Sequence, residues 1–151
     1  MKRQWFLILL AVMLLAGCGK ANGKAVTAQA FAETAEKLGA VTQTLRTGDV
    51  YSSDYPEALI ARVLFDNDAS GWSGEFWEFD SERAALACIH RLQGTDGSSD
   101  GSDRFEITLS EGAQPVLEAM RVQNTVLLVS CQNNAGSKDA VEKLLKALHY
   151  V

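Results

Sequence analysis

Two neighbouring segments in the middle of the chain have the alternating pattern of β-strands. In the segment 58–65, one face is wholly apolar, with Leu59, Ala61, Val63 and Phe65, and the other carries Ile60, Arg62 and Leu64. The segment 72–79 follows after six residues rich in Asp, Asn and Gly, which are typical of turns. Two such strands joined by a short turn form an antiparallel hairpin. The fold must therefore contain an antiparallel sheet.

Helices and further strands surround this hairpin. Apolar residues recur at intervals of three and four after the capping residues Thr27, Ser81 and Ser137, which predicts helices over 27–38, 81–92 and 137–148. Alternation predicts more strands over 40–45, 104–109, 114–122 and 125–131, the last apolar on both faces and therefore central. This order predicts an α+β fold: a two-layer sandwich in which an antiparallel sheet of about five to six strands carries three helices mainly on one face.

The first seventeen residues have the organisation of a secretory signal. Lys2 and Arg3 precede an apolar run of eleven residues, Trp5–Leu15, which is too short to span a bilayer as a helix. Two small residues then lead to Cys18. A basic start, an apolar core and small residues before a cleavage point are the three parts of such a signal.

The segment Leu15-Ala16-Gly17-Cys18 resembles the lipobox of bacterial lipoproteins. The resemblance implies cleavage before Cys18 and lipidation of its thiol, and two acyl chains give stable anchoring where one gives weak binding. We therefore predict a signal peptide over 1–17, a lipidated cysteine with a flexible tether over 18–26, and a single α+β domain over 27–151. The expected location is the extracytoplasmic face of the cell membrane, which the protein contacts through its N-terminal lipid.

The charge of the mature chain argues against nucleic acid as a partner. The full sequence has 14 basic and 19 acidic side chains, and cleavage removes Lys2 and Arg3, so the mature chain has 12 basic side chains and a net charge of −7. Domains that bind DNA or RNA present a basic surface. The remaining 134 residues are enough for one domain with its own apolar core.

Four short segments of the mature chain occur in the order seen in a known group of proteins. They are Thr-Ala-x-x-Phe at 27–31, an aromatic strand that runs into a helix at 76–84, Arg-Val-x-Asn-Thr at 121–125, and Leu-x-Tyr at 148–150. With the lipobox, they resemble a group of uncharacterised small lipoproteins from Gram-positive bacteria, mostly clostridia, in which Gly more often precedes the final Tyr. The resemblance implies a lipid anchor, and it assigns no activity and no catalytic or binding residue.

Cys88 and Cys131 have two interpretations. A secreted protein permits a disulfide between them, yet Cys88 lies in an apolar helical stripe and Cys131 ends an apolar strand, where a thiol also serves as a small buried side chain. Asp66 and Asp68 resemble the opening of a calcium loop, but Trp77 stands where that loop needs its last acid, so a plain turn is expected. Neither a metal site nor a cofactor is predicted.

The aromatic residues of the second strand are the candidate binding surface. Alternation places Trp72 and Phe76 on one face and Trp77 and Phe79 on the other. One pair is expected beneath the helices. The other pair either forms an exposed patch, which would be a binding site, or is covered by a helix or loop.

The sequence favours a non-catalytic binding module for a small ligand or an envelope protein. It contains no nucleophile elbow, zinc-protease motif or phosphate loop. The alternative is a small extracytoplasmic hydrolase with dispersed catalytic residues. That activity would require His90 to converge with acids such as Glu75, Glu78 and Glu106; otherwise His90 and His149 are expected at the surface.

Overall fold

The computed structural model describes residues 25–46, 59–96, 103–107 and 116–150. The predicted signal peptide and Cys18 lie outside these residues. The described helices are α1 (Ala28–Lys37), α2 (Glu82–Asp96) and α3 (Ala135–Ala147). The described strands are β1 (Val41–Arg46), β2 (Leu59–Asn67), β3 (Trp72–Phe79), β4 (Arg104–Ile107), β5 (Val116–Val122) and β6 (Thr125–Cys131).

The strands form one antiparallel sheet in the order β1-β2-β3-β6-β5-β4. Each half of the chain contributes three adjacent strands, and β3 and β6 meet in the middle. The central position of β6 was predicted from its two apolar faces. The α+β class with an antiparallel sheet is confirmed.

Apolar clusters cover both faces of the sheet. The first cluster includes Phe31 of α1, Leu144 of α3 and Phe76 of β3. The second includes Ile89 of α2 and Trp77 of β3, whose neighbour Phe76 points to the other face. Two helices therefore share one face, while α2 adds a third layer on the opposite face that the two-layer expectation did not contain.

Stacked aromatic rings form the centre of the first cluster. The ring of Phe31 lies 4.3 Å from that of Phe76 at an angle of 13°. Phe65 contacts Phe31 at 5.2 Å and Trp72 at 5.6 Å in tilted geometry. Such ring pairs stabilise a core beyond the area they bury, so α1 is fixed against β2 and β3.

The register of β2 changes near its start. Leu59 is opposite Phe79, but Ala61 is opposite Glu78, which leaves one extra residue in β2 as a bulge. Leu59 consequently packs in the second cluster, whereas Ala61, Val63 and Phe65 lie in the first. The prediction that Leu59 shares a face with these three residues was wrong, because a bulge reverses the alternation.

The observed helix ends agree only in part with those predicted from the sequence. Thr27 caps α1 by accepting the Ala30 N–H at 3.2 Å, and Ser81 caps α2 by accepting the Ala84 N–H at 3.3 Å. However, α2 continues to Asp96, beyond its predicted end at Leu92. Asn134, and not Ser137, caps α3, so the helix begins at Ala135, two residues before Ser137.

Candidate functional site

A polar cleft lies at one end of the sheet, where the β2–β3 turn meets the β6–α3 connection. Its volume is about 600 Å³, which is within the range of pockets that bind small molecules. We call it the turn cleft. It is lined by Asp66, Asn67, Asp68, Gly71, Trp72, Ser73, Ser130 and the segment 132–134.

Side-chain and backbone hydrogen bonds fix the β2–β3 side of the turn cleft. Asn67 is buried, and its side chain donates to Leu38 O at 3.3 Å and accepts from Ser70 N at 2.9 Å. Gly71 has a φ of +63°, a left-handed conformation that suits glycine. The Gly71 carbonyl accepts from Gln132 N at 2.9 Å, which joins this turn to the chain leaving β6.

The start of α3 fixes the other side of the turn cleft. The Asn134 side chain accepts the Ser137 N–H at 2.9 Å. The Ser137 hydroxyl, which is 1% exposed, donates to Ser70 O at 2.7 Å. Ser137 was predicted to cap α3, and its hydroxyl instead holds the two walls of the turn cleft together.

Three polar side chains form a row across neighbouring strands in the turn cleft. Asp66 is opposite Ser73 in the β2–β3 pair, and Ser73 is opposite Ser130 in the β3–β6 pair. Directly opposed residues point to the same face of a sheet. The row therefore presents one carboxylate and two hydroxyls side by side.

Asp66 and Asp68 give the turn cleft a negative rim. Desolvation, charge repulsion from Asp68 and a hydrogen bond with Asp68 raise the pKa of Asp66 above its ordinary value. A hydrogen bond from the Asn67 backbone opposes this shift. Two carboxylates held this close favour a ligand that donates hydrogen bonds to them.

The indole of Trp72 carries an unsatisfied hydrogen-bond donor. Trp72 lines the turn cleft and is 2% exposed, and its Nε1–H has no hydrogen-bond partner. A buried donor without an acceptor costs about 1–3 kcal/mol. By contrast, Trp77 Nε1 donates to Glu75 Oε2 at 2.9 Å. The Nε1 atom of Trp72 is inaccessible to solvent, so this unsatisfied donor lies inside the protein and not on the open surface of the turn cleft.

The predicted aromatic patch is not exposed. Trp72, Phe76 and Trp77 are 2%, 0% and 3% exposed, and Phe79 is fully buried as well. Helices cover both faces of β3, so both aromatic pairs belong to apolar clusters. Of these residues, Trp72 alone lines the turn cleft. Of the two alternatives predicted for the second aromatic pair, an exposed patch or a covered one, the structure contains the covered one.

Cys88 and Cys131 are both free thiols. Cys88 packs in the second cluster beneath α2, and Cys131 packs against the first cluster on the other face of the sheet. A disulfide between them would have to pass through the sheet. Of the two interpretations, the disulfide does not fit the structure, whereas the interpretation of each thiol as a small packing group does. Burial raises the pKa of the Cys131 thiol.

The acids of the hydrolase alternative do not converge. Glu75 pairs with Arg62 through contacts of 2.5 and 2.9 Å, whereas Glu78 lies on the opposite face of β3 and accepts the Ala28 N–H at 2.7 Å. Glu106 is exposed on β4, and His90 is exposed on α2. None of these four side chains lines the turn cleft.

The described residues contain no group of three or more His, Cys, Asp or Glu side chains placed to hold a metal ion. No helix among them combines the length and apolar character needed to cross a bilayer.

Comparisons with known proteins give one structural similarity. No protein-family model and no curated protein sequence matches the chain. Among solved structures, the chain is similar to the extracellular domain of PknH from Mycobacterium tuberculosis, with a TM-score of 0.46 and 9% sequence identity. The similarity covers 84% of this chain and 93% of that one. At this level it assigns no ligand and no functional residue.

Proposed function

We propose that the protein is a lipid-anchored, extracytoplasmic binding module that holds a small ligand in the turn cleft. The lipobox at residues 15–18 supports the anchor. The polar row of Asp66, Ser73 and Ser130 on the wall of the turn cleft carries the binding proposal, because these side chains offer hydrogen-bonding groups to a ligand. The volume and polar walls of the turn cleft are those of a pocket for a small molecule, whereas a protein partner would need a larger and flatter surface.

The position of the chain entry supports this arrangement. Ala25 N donates to Gln123 Oε1 at 3.0 Å, so the chain enters the domain beside the β5–β6 turn. The turn cleft lies at the other end of the sheet, where β3 begins with Trp72. The eight residues of β3 span about 23 Å at 3.3 Å per step. An anchor before Ala25 would thus hold the turn cleft on the side remote from the lipid.

The anchor is tested by membrane fractionation of cells that express the full chain. We expect the parent protein to sediment with membranes and to incorporate labelled fatty acid. Cys18→Ala should lose the label, whereas Cys131→Ala, a matched control with its thiol inside the domain, should retain it. Equal labelling of the parent and Cys18→Ala would contradict the anchor.

Ligand binding is tested by thermal shift of the mature lipidated protein in detergent micelles against a broad panel of small polar compounds. A true ligand should raise the midpoint temperature of the parent and of Glu106→Ala, whose substituted side chain is exposed and remote from the turn cleft. It should have a much smaller effect on Ser130→Ala. A panel without any ligand, or one whose ligands shift Ser130→Ala equally, would contradict binding in the turn cleft.

A further inference from the structure

We propose that two copies of the protein pair through their β1 strands and form one continuous antiparallel sheet. A two-fold axis passes through Gln43, so that Val41 of each copy lies opposite Leu45 of the other. This pairing does not depend on a ligand in the turn cleft.

The strand β1 lies at the edge of the sheet and is regular over its whole length. It pairs with β2 over all six residues, from Val41 opposite Asp66 to Arg46 opposite Ala61, without a change of register. The outer side of an edge strand presents backbone N–H and C=O groups that can pair with another strand. Val41 is 78% exposed, more than any other large apolar side chain among the described residues. A strand added beside β1 would cover it.

The sequence of β1 lacks the features that commonly protect a sheet edge. Such protection comes from charges, proline, bulges or short length. The first five residues of β1, Val-Thr-Gln-Thr-Leu, contain no charge, proline or glycine, and three of them are β-branched, which favours a strand. The described part of the opposite edge, β4, has only four residues and includes Arg104 and Glu106. Of the two edges, β1 is therefore the one suited to pairing.

The alternation of side chains in β1 determines the register of a self-pairing. Directly opposed residues point to the same face of a sheet, so a two-fold axis must pass through a residue and not between two residues. With the axis through Gln43, Val41 lies opposite Leu45, and Thr42 lies opposite Thr44. Both are favourable cross-strand pairs. An axis through Thr42 or Thr44 would instead set Gln43 opposite Val41 or Leu45, so the register centred on Gln43 is the one that covers Val41 with an apolar side chain.

The charges beside the strand are complementary in this register. Glu36 of α1 accepts the Thr42 hydroxyl at 2.5 Å, so its carboxylate lies beside β1. Arg46 points to the same face as Thr42, and in the second copy it lies opposite Ala40, two residues from Thr42. Successive positions on one face of a strand are about 7 Å apart, which an arginine side chain spans. Two symmetric pairs between Glu36 and Arg46 would thus fix the orientation of the joined strands.

The proposed lipid anchor favours this contact and leaves β1 uncovered. The chain enters the domain beside Gln123 on the β5–β6 turn, and three strands lie between β5 and β1. Contact along one strand buries less area than a stable soluble dimer needs, so the pairing depends on the high local concentration that a common membrane provides. An extended tether from Cys18 to Ala25 reaches about 23 Å. Copies with opposite strand directions can therefore be anchored in one bilayer.

The test is oxidative cross-linking of the full-length protein in native membranes, followed by non-reducing electrophoresis and mass spectrometry. All variants carry Cys131→Ala, because the native thiol is partly exposed. Gln43→Cys places a thiol on the two-fold axis, where the Cα atoms of the two copies are about 4.5–5.5 Å apart, a distance that permits a disulfide. Arg46→Cys is the control for register, because its two thiols would lie about 20 Å apart along the strands. Glu106→Cys, on the opposite edge, is the control for random collision.

We expect a covalent dimer as the main product of Gln43→Cys and little dimer from either control. Addition of Val41→Lys, which sets a charge against Leu45 of the second copy, should abolish the dimer of Gln43→Cys. Equal cross-linking of all three variants, or no dimer of Gln43→Cys, would overturn the pairing. A dimer of Arg46→Cys in preference to Gln43→Cys would overturn the register. A covalent product of Gln43→Cys with a different protein would show that another partner occupies the edge.

Discussion

Ala28 donates its backbone N–H to the Glu78 carboxylate at 2.7 Å. This bond joins the first turn of α1 to the end of β3 that lies farthest from the turn cleft. Thr27 accepts a second N–H of the same turn, so two of the free donors of the helix are satisfied. A carboxylate at this position also interacts favourably with the helix dipole. The bond therefore fixes the point at which the chain enters the domain.

Removal of the Glu78 carboxylate should weaken the docking of α1. Glu78→Ala leaves a partly buried N–H unpaired, and we expect a loss of about 1–2 kcal/mol in the free energy of unfolding. Glu106→Ala removes an exposed glutamate and should change it by less than about 0.5 kcal/mol. Urea unfolding followed by circular dichroism gives both values. Equal effects of the two substitutions would show that Glu78 does not hold the helix.

Gly74 is required by the close approach of β3 to β6. A Cβ atom at Gly74 would lie 2.0 Å from Leu128 O and 2.8 Å from the Phe65 ring. Gly74→Ala should therefore cost about 3 kcal/mol, because neither the central strand nor the packed ring can move away.

The matched control for this substitution is Gly94→Ala. Gly94 lies in α2, and a Cβ there meets no atom within 4 Å. Alanine favours a helix over glycine, so this change should stabilise the protein by up to about 1 kcal/mol. Thermal unfolding of both variants checks the prediction, and a Gly74→Ala protein as stable as the parent would mean that β3 and β6 are farther apart than described.

Tyr150 should make the stability of the protein depend on pH in the alkaline range. Its hydroxyl is hydrogen-bonded to that of Thr125, and either of the two hydroxyls can be the donor. Burial raises the pKa of Tyr150 well above its ordinary value of 10.0, and the bond to Thr125 offsets this only in part. The folded state thus keeps the proton that the unfolded chain releases above pH 10.

The sign of the effect follows from this linkage. The contribution of Tyr150 is fully present below pH 10, and it falls by up to about 1.4 kcal/mol per pH unit as the pH rises from there towards the higher pKa of the folded state. Tyr150→Phe should cost about 1 kcal/mol at pH 7 and should lose less stability between pH 9 and pH 11 than the parent. Denaturant unfolding across this range measures the difference. Parallel pH profiles for the two proteins would contradict the assignment.

Thiol counting tests the covalent state of three cysteines at once. The mature protein, denatured without reductant and treated with iodoacetamide, should gain two labels, on Cys88 and Cys131, because both thiols are free and Cys18 is expected to be blocked by lipid. Intact-mass spectrometry gives the count. Three labels would contradict lipidation of Cys18. No labels would indicate a disulfide between Cys88 and Cys131, whose side chains lie on opposite faces of the sheet in the structure.

Local patterns in the sequence were sufficient for the secondary structure but not for the site. The segments over 27–38 and 72–79 carry their own periodicity and end signals, and both formed as predicted. The bulge that turns Leu59 to the other face depends on the pairing of β2 with β3, which no local pattern contains. The placement of α2 on the second face also depends on strand order.

The turn cleft could not be predicted because its walls are distant in sequence. Asp66 and Asn134 both line the turn cleft, although they are 68 residues apart in the sequence. They meet because β3 pairs with β6 and brings the two connections to the same end of the sheet.

The most direct test of the binding site follows the two indole N–H signals of the mature protein by nuclear magnetic resonance. The mature chain contains Trp72 and Trp77, and Trp77→Phe assigns the two peaks. On titration with a ligand identified by thermal shift, the Trp72 signal should shift, because Trp72 is one of the residues that line the turn cleft. The Trp77 signal, already bonded to Glu75, should stay in place. A Trp72 signal that remains unchanged at saturation would contradict ligand binding in the turn cleft.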